Sequence, residues 1–154
     1  MIEIKLIVVG KIKEKYLEDA ISEYVKRIKP MASLSIIELK ECTQYDSARN
    51  LKEESKLILE NINDNSYVVT LEILGKELTS IEFSDFIDKH YLYNNKHLTF
   101  IIGSSDGLDE DVKKRSDYKL SFSKMTFPHQ LMRVIFLEQV YRALSIINNK
   151  KYHK

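Results

Sequence analysis

The chain has 154 residues, 44% hydrophobic and 31% charged, with a formal net charge of +1. That length suits one domain with a real core, and the near-neutral balance excludes a global electrostatic pull toward nucleic acid or membrane. The single cysteine, Cys42, excludes an internal disulfide and a cysteine-based metal site.

Any basic surface must therefore come from local clusters, and two exist: Lys11, Lys13 and Lys15, and Lys150, Lys151, His153 and Lys154. No two histidines have metal-ligand spacing, so no metal is expected. No apolar run approaches the length that spans a bilayer. The N-terminal run is interrupted by Glu3 and too short for a signal peptide. The expected setting is the reducing cytoplasm.

In chain order, Ile2–Val9 reads as a strand, alternating and then continuously apolar, ended by Gly10. Residues 13–28 carry Leu17, Ala20, Ile21, Tyr24, Val25 and Ile28 at helical spacing, and Pro30 closes that helix. Residues 34–39 form a short strand, 40–49 a polar loop, and 50–62 a second helix. A third strand, residues 67–74, ends at Gly75. Thr79 and Glu82 have capping-box spacing and predict a helix start. Residues 91–97 read as a loop, and Leu98–Ile102 as a strand apolar enough to be buried on both faces. A tight turn from Gly103 to Gly107, a short helix over 108–115 and a fifth strand over 118–122 follow.

Pro128 suits the first turn of a last helix, which runs from His129 to about Asn148 without Gly or Pro. Its apolar residues are too many for one stripe, so it must be covered on nearly every side: by the core on one, and by a second subunit on another. Arg133, Glu138 and Arg142 interrupt the run, and Glu138 and Arg142 have the spacing of an ion pair.

Strand and helix thus alternate five times, which predicts an α/β fold, a single domain with a mostly parallel sheet and helices on both faces. Ligands of such sheets bind at the carboxyl ends of the strands. Three loops there stand out: residues 74–78, 103–107 and 121–128. There is no dinucleotide glycine fingerprint and no Walker pattern. His129 lies in the first turn of the last helix, where the helix dipole favours a neutral imidazole able to accept a proton.

Four stretches carry a resemblance: TLEILGK (residues 70–76), FIIGSSDGL (100–108), LSFSKMTFPHQLMRVIFLEQVYRA (120–143) and the terminal YHK (152–154). With the opening VVGKIKEKYL (8–17) they resemble the ribosomal RNA large subunit methyltransferase H family, the 23S rRNA pseudouridine N3-methyltransferases of the knotted SPOUT superfamily. The resemblance implies a C-terminal trefoil knot, a homodimer, S-adenosylmethionine as methyl donor, and 23S rRNA in the assembled ribosome as substrate. It puts cofactor contacts on Leu71, Gly103, Phe122, Ser123, Lys124, Met125, Thr126 and Phe127. Where the family has Gly-Gly or Gly-Gly-Ala after the fourth strand, this chain has Gly103-Ser104-Ser105.

Methylating N3 requires loss of the N3 proton, and a nearby cation favours the resulting anion. Arg142 is the candidate for that role, with Arg133 second, and His129 or His153 would take the proton. Tyr152, His153 and Lys154, beyond the last helix, are expected to fold over the RNA site, with Arg133 as a further RNA contact. Two other readings fit the same residues: a knotted methyltransferase acting on tRNA, and a non-catalytic dimeric RNA-binding protein of the ribosome.

Overall fold

The computed structural model describes residues 1–94 and 97–154, the side chains of residues 93 and 94 apart. Five strands, β1 (Ile2–Val9), β2 (Ala32–Leu39), β3 (Tyr67–Glu77), β4 (Leu98–Ile102) and β5 (Tyr118–Ser121), alternate with five helices. The helices are α1 (Lys15–Ile28), α2 (Ser47–Glu60), α3 (Ser80–Lys89), α4 (Glu110–Arg115) and α5 (His129–Ile147). The strands form one sheet of order β2-β1-β4-β3-β5, every pairing parallel.

The two-residue period of the strands divides their side chains between two cores. Ile4, Leu6, Val8, Val69, Phe100 and Leu120 face one core, with Phe83 and Ile87 of α3 and Phe136, Leu137 and Val140 of α5. Ile7, Val9, Val68 and Ile101 face the other, under Ile58 of α2 and Val112 of α4. Helices therefore cover both faces, as the alternation requires, and β4 is buried along its whole length.

Helix α5 packs between α1 and α3 on one face of the sheet. Most of its apolar surplus is thus covered by its own chain. Leu131 remains exposed and Val134 half-buried on the side away from the core.

Some boundaries differ from the sequence reading, each for a local reason. Helix α2 starts at Ser47 and not near residue 50, because the Asp46 side chain caps it by accepting from the Arg49 N–H. The capping box at Thr79 and Glu82 forms as expected. Strand β3 does not stop at Gly75; it resumes pairing with β5 at Lys76 and Glu77. The loop expected over 91–97 includes a π-helical turn, His90–Asn94, that extends α3, while residues 95 and 96 lie outside the described residues. Among the described residues no helix is long and apolar enough to cross a membrane.

Candidate active site

At the carboxyl ends of β3, β4 and β5 three backbone irregularities enclose a cavity of about 720 Å³. The first is a bulge in β3. Leu120 pairs with Leu71 and again with Lys76, so residues 72–75 are looped out between the two registers. Gly75 permits this, since a Cβ there would lie 2.7 Å from the carbonyl carbon and oxygen of Lys119. The second is the turn after β4, where the Gly107 N–H donates to the Ser104 carbonyl at 2.9 Å. Gly103 is packed so closely that a Cβ would stand 2.4 Å from the Gly107 carbonyl oxygen. The third is the segment between β5 and α5, folded on itself by two hydrogen bonds. Ser121 Oγ donates to the Ser123 carbonyl at 3.0 Å, and Ser123 Oγ accepts from the Met125 N–H at 2.9 Å.

The walls are mainly apolar, with Leu71, Leu120, Phe122, Phe127 and Met132 among them. His129 also lines the cavity, as do two charged side chains, Glu72 and Lys113. Glu72 is held in place: its carboxylate accepts from Thr70 Oγ at 2.6 Å, and Lys113 Nζ stands 3.9 Å away. Thr70 is itself hydrogen-bonded to Ser116 at 2.8 Å. An immobilised carboxylate in an apolar cavity is suited to a ligand bearing positive charge or hydroxyl groups. The sequence reading passed over Glu72 and Lys113. The available signal was a carboxylate at the end of an otherwise apolar strand, YVVTLEIL.

The chain matches the family model described as "Predicted SPOUT methyltransferase" over residues 2–153. This chain belongs to the SPOUT methyltransferases. It is 50% identical over 157 residues to the ribosomal RNA large subunit methyltransferase H 1 of Clostridium perfringens, covering 98% of this chain and 99% of that one. It is 52% identical over 158 residues to the ribosomal RNA large subunit methyltransferase H of Clostridium botulinum, covering 98% and 99%. The corresponding protein of Carboxydothermus hydrogenoformans is 47% identical over 158 residues, covering 99% of each. Among solved structures, a probable methylase family protein from Haemophilus influenzae superposes with a TM-score of 0.60 at 14% identity, covering 100% of this chain and 72% of that one. That likeness is one of fold.

The methyl donor of a SPOUT methyltransferase is S-adenosylmethionine. The cavity fits it: apolar walls suit the base, glycine backbone allows close approach, and fixed Glu72 suits a cationic ligand. Leu71, Gly103, Phe122, Ser123, Met125, Thr126 and Phe127, the expected contacts, all line this one cavity. Lys124, the remaining one, is exposed and does not line it.

The expected catalytic and RNA-facing residues of this SPOUT methyltransferase divide into three places. His129 is on the cavity wall, its Nε2 turned toward Gly10 at the end of β1. Arg133 is only 2% exposed and pairs with Glu38. Its guanidinium donates to Glu38 at 3.1 Å and to the carbonyls of Val9 and Gly10 at 3.0 and 2.6 Å. Burial lowers its pKa while the Glu38 carboxylate works the other way. Arg133 thus ties α5 to the end of β1, a buried position that leaves little of it for RNA. Arg133→Met would leave two buried carbonyls without donors, so we expect a loss of about 2 kcal/mol of stability, read as a lower urea midpoint with an unchanged m-value.

Arg142, Tyr152 and His153 meet at the far end of α5. Arg142 donates twice to Glu138 Oε1, at 3.0 and 2.5 Å, which raises its already high pKa. Tyr152 Oη donates to the same oxygen at 3.0 Å, and its ring lies under the guanidinium, 4.8 Å from centroid to Cζ. Burial and the Glu138 carboxylate push the Tyr152 phenol up to about 12, so at neutral pH it is a donor and not a base. Arg142 Nη1 lies 3.1 Å from His153 Nδ1. An arginine only donates, so Nδ1 accepts and the neutral ring carries its proton on Nε2. The C-terminal tail is therefore ordered against α5 by Arg142 and Glu138. Lys154, which follows, is exposed.

Proposed function

We propose that this enzyme methylates N3 of a pseudouridine in 23S rRNA on the assembled ribosome. We further propose that it works as a homodimer whose site takes its cofactor wall from one chain and its tail from the other. The observation that carries the reaction is the near full-length identity to proteins named ribosomal RNA large subunit methyltransferase H. A ribosomal substrate implies the cytoplasm.

The composite site rests on a distance. Met132 lines the cavity and Arg142 holds the tail, and about 15 Å of helix separates them at about 1.5 Å per residue. Within one chain the cation and the cavity do not meet. Apolar side chains at the cavity, Ile73, Met125 and above all Leu74 at 98% exposure, together with exposed Leu131 of α5, supply a surface for a second copy to cover. The same reading implies that the chain is knotted. The close packing of Gly75 on Lys119 and Leu120 supports a crossing of the two segments there.

S-adenosylmethionine supplies an electrophilic methyl group on a sulfonium. The residues of the chain do the rest. The three strand-end segments hold the donor, and near-attack positioning of this kind removes roughly 7–11 kcal/mol of barrier. Arg142 stabilises the anion left when N3 loses its proton. His153, with its proton on Nε2, is a donor to a uracil carbonyl. That leaves His129, on the cavity wall, as the group to accept the N3 proton. Tyr152 and Glu138 orient Arg142.

The test is transfer of labelled methyl to ribosomes, with naked rRNA and tRNA as parallel substrates and the modified nucleotide mapped. Label at N3 of a pseudouridine in 23S rRNA, strongest on ribosomes, is the expected result. Label on tRNA would replace the substrate assignment, and no label on any RNA would end it. With a net charge of +1 the enzyme should bind naked RNA weakly and in a salt-sensitive manner.

A further inference from the structure

A buried carboxylate outside the cavity has no part in the chemistry above. Glu54 of α2 is 3% exposed, and among the described residues no ion pair reaches it. Its two oxygens bind two distant segments. Oε1 accepts from Ser104 Oγ at 2.9 Å, and Oε2 accepts from the Cys42 N–H at 3.0 Å. One turn earlier on α2, Asn50 holds the same loop: Oδ1 accepts from the Tyr45 N–H at 2.9 Å and Nδ2 donates to the Tyr45 carbonyl at 3.0 Å. Two side chains of α2 therefore fix residues 42–45, and one of them extends to the turn after β4.

We propose that Glu54 is a positioning residue for the cofactor, clamping the turn 103–107 through the Ser104 hydroxyl and joining it to the loop between β2 and α2.

Three observations support the clamp. Ser104 is itself 6% exposed, and its backbone carries the bridge to Gly107, so fixing its side chain fixes the whole turn. Gly103, Ser104, Ser105 and Gly107 all line the cavity. The loop held at the other end also comes near His129, which lines the cavity. Glu41 Oε2 lies 3.7 Å from the Cβ position of Gly10, where His129 Nε2 and Arg133 Nη2 converge at 3.5 and 3.6 Å. Burial is costly for this carboxylate: desolvation raises its pKa, and Glu41 and Asp106 add like charge. An apolar residue would fill the same space without that cost, but it could not hold a hydroxyl. A glycine or alanine at position 104 would offer Glu54 no hydroxyl to hold.

The proposal rests on the cavity being the cofactor site, and the experiment separates the two. S-adenosylmethionine affinity is measured by titration calorimetry for Ser104→Ala, Glu54→Gln, the double variant and Gly103→Ala, with melting temperatures alongside. Each of the first two should bind about tenfold more weakly, the scale of one hydrogen bond to a charged group. The double variant should be no weaker than the poorer single one, since the pair acts as a unit. In turnover the loss should appear in KM for the cofactor and not in KM for RNA, a split that general destabilisation would not produce. Wild-type affinity in Ser104→Ala overturns the clamp, as do losses that add in the double variant. Should Glu54→Gln fail to fold, Ser104→Ala decides alone. If Gly103→Ala also binds normally, the cavity assignment falls; if only the clamp variants do, the clamp alone falls.

Discussion

Removing Tyr152, His153 and Lys154 should abolish methyl transfer while leaving the fold and S-adenosylmethionine affinity nearly unchanged. The tail contributes no residue to the cavity walls, so cofactor binding should stay within about twofold of wild type, the scale of an indirect effect. Turnover should fall about a thousandfold, because both the His153 donor and the Tyr152 ring that steadies Arg142 are lost. Arg142→Ala should do the same for a different reason, removing the cation and releasing the tail that it holds. Purified ribosomes, a saturating cofactor and single-turnover kinetics measure both. Retained turnover in the truncated enzyme would take the tail out of the site.

The same variants test whether the tail acts on its own chain or on a partner. Chains carrying Gly103→Ala have a damaged cavity and an intact tail; chains carrying Arg142→Ala have the reverse. If each site draws its tail from the partner, unfolding and refolding the two together restores one working site in each mixed dimer. With half the dimers mixed, activity should recover to about a quarter of wild type. A tail acting on its own cavity predicts no recovery.

Much of the fold was legible because it follows from local periodicity. The continuous apolar run of β4, the two-residue alternation of β1 and the helical spacing of α1 each reflect burial by their own chain. The capping box at Thr79 is a contact within four residues and needs no tertiary information. What periodicity could not reveal is long-range. Strand order depends on which strands meet, and nothing local puts β4 between β1 and β3. The continuation of β3 past Gly75 depends on a register jump against β5, a strand more than forty residues away. Arg133 reads from the sequence as a second cation for the reaction and an RNA contact, because no local spacing could place its actual partners, which lie at the ends of β1 and β2. The cavity was legible as three converging loops and, in detail, through the resemblance. Its charged members Glu72 and Lys113 were not, since they come together only when the bulge of β3 meets α4.

The second large effect concerns Gly103. A methyl group at this position would stand 2.4 Å from the Gly107 carbonyl oxygen, 2.8 Å from its carbonyl carbon and 2.9 Å from Leu108 Cδ2. The first two contacts are with backbone, which cannot swing aside as a side-chain terminus can, so the turn itself must move. Gly107, at a φ of +90°, is hydrogen-bonded back to the Ser104 carbonyl, so its own carbonyl cannot retreat without disturbing the turn. The bridge between Ser104 and Gly107 should therefore open, and the wall of the cavity should shift by a large fraction of an ångström. Overpacking of this kind costs about 1–3 kcal/mol, so we expect Gly103→Ala to weaken S-adenosylmethionine binding by about 100-fold. Asp106→Ala is the matched control in the same turn, a change at an exposed side chain that does not line the cavity and meets no backbone clash. Its affinity should stay close to wild type while that of Gly103→Ala collapses. If calorimetry found both variants binding the cofactor as tightly as the parent enzyme, the turn after β4 would not be part of the cofactor site, and the convergence of the three strand-end segments would need another explanation.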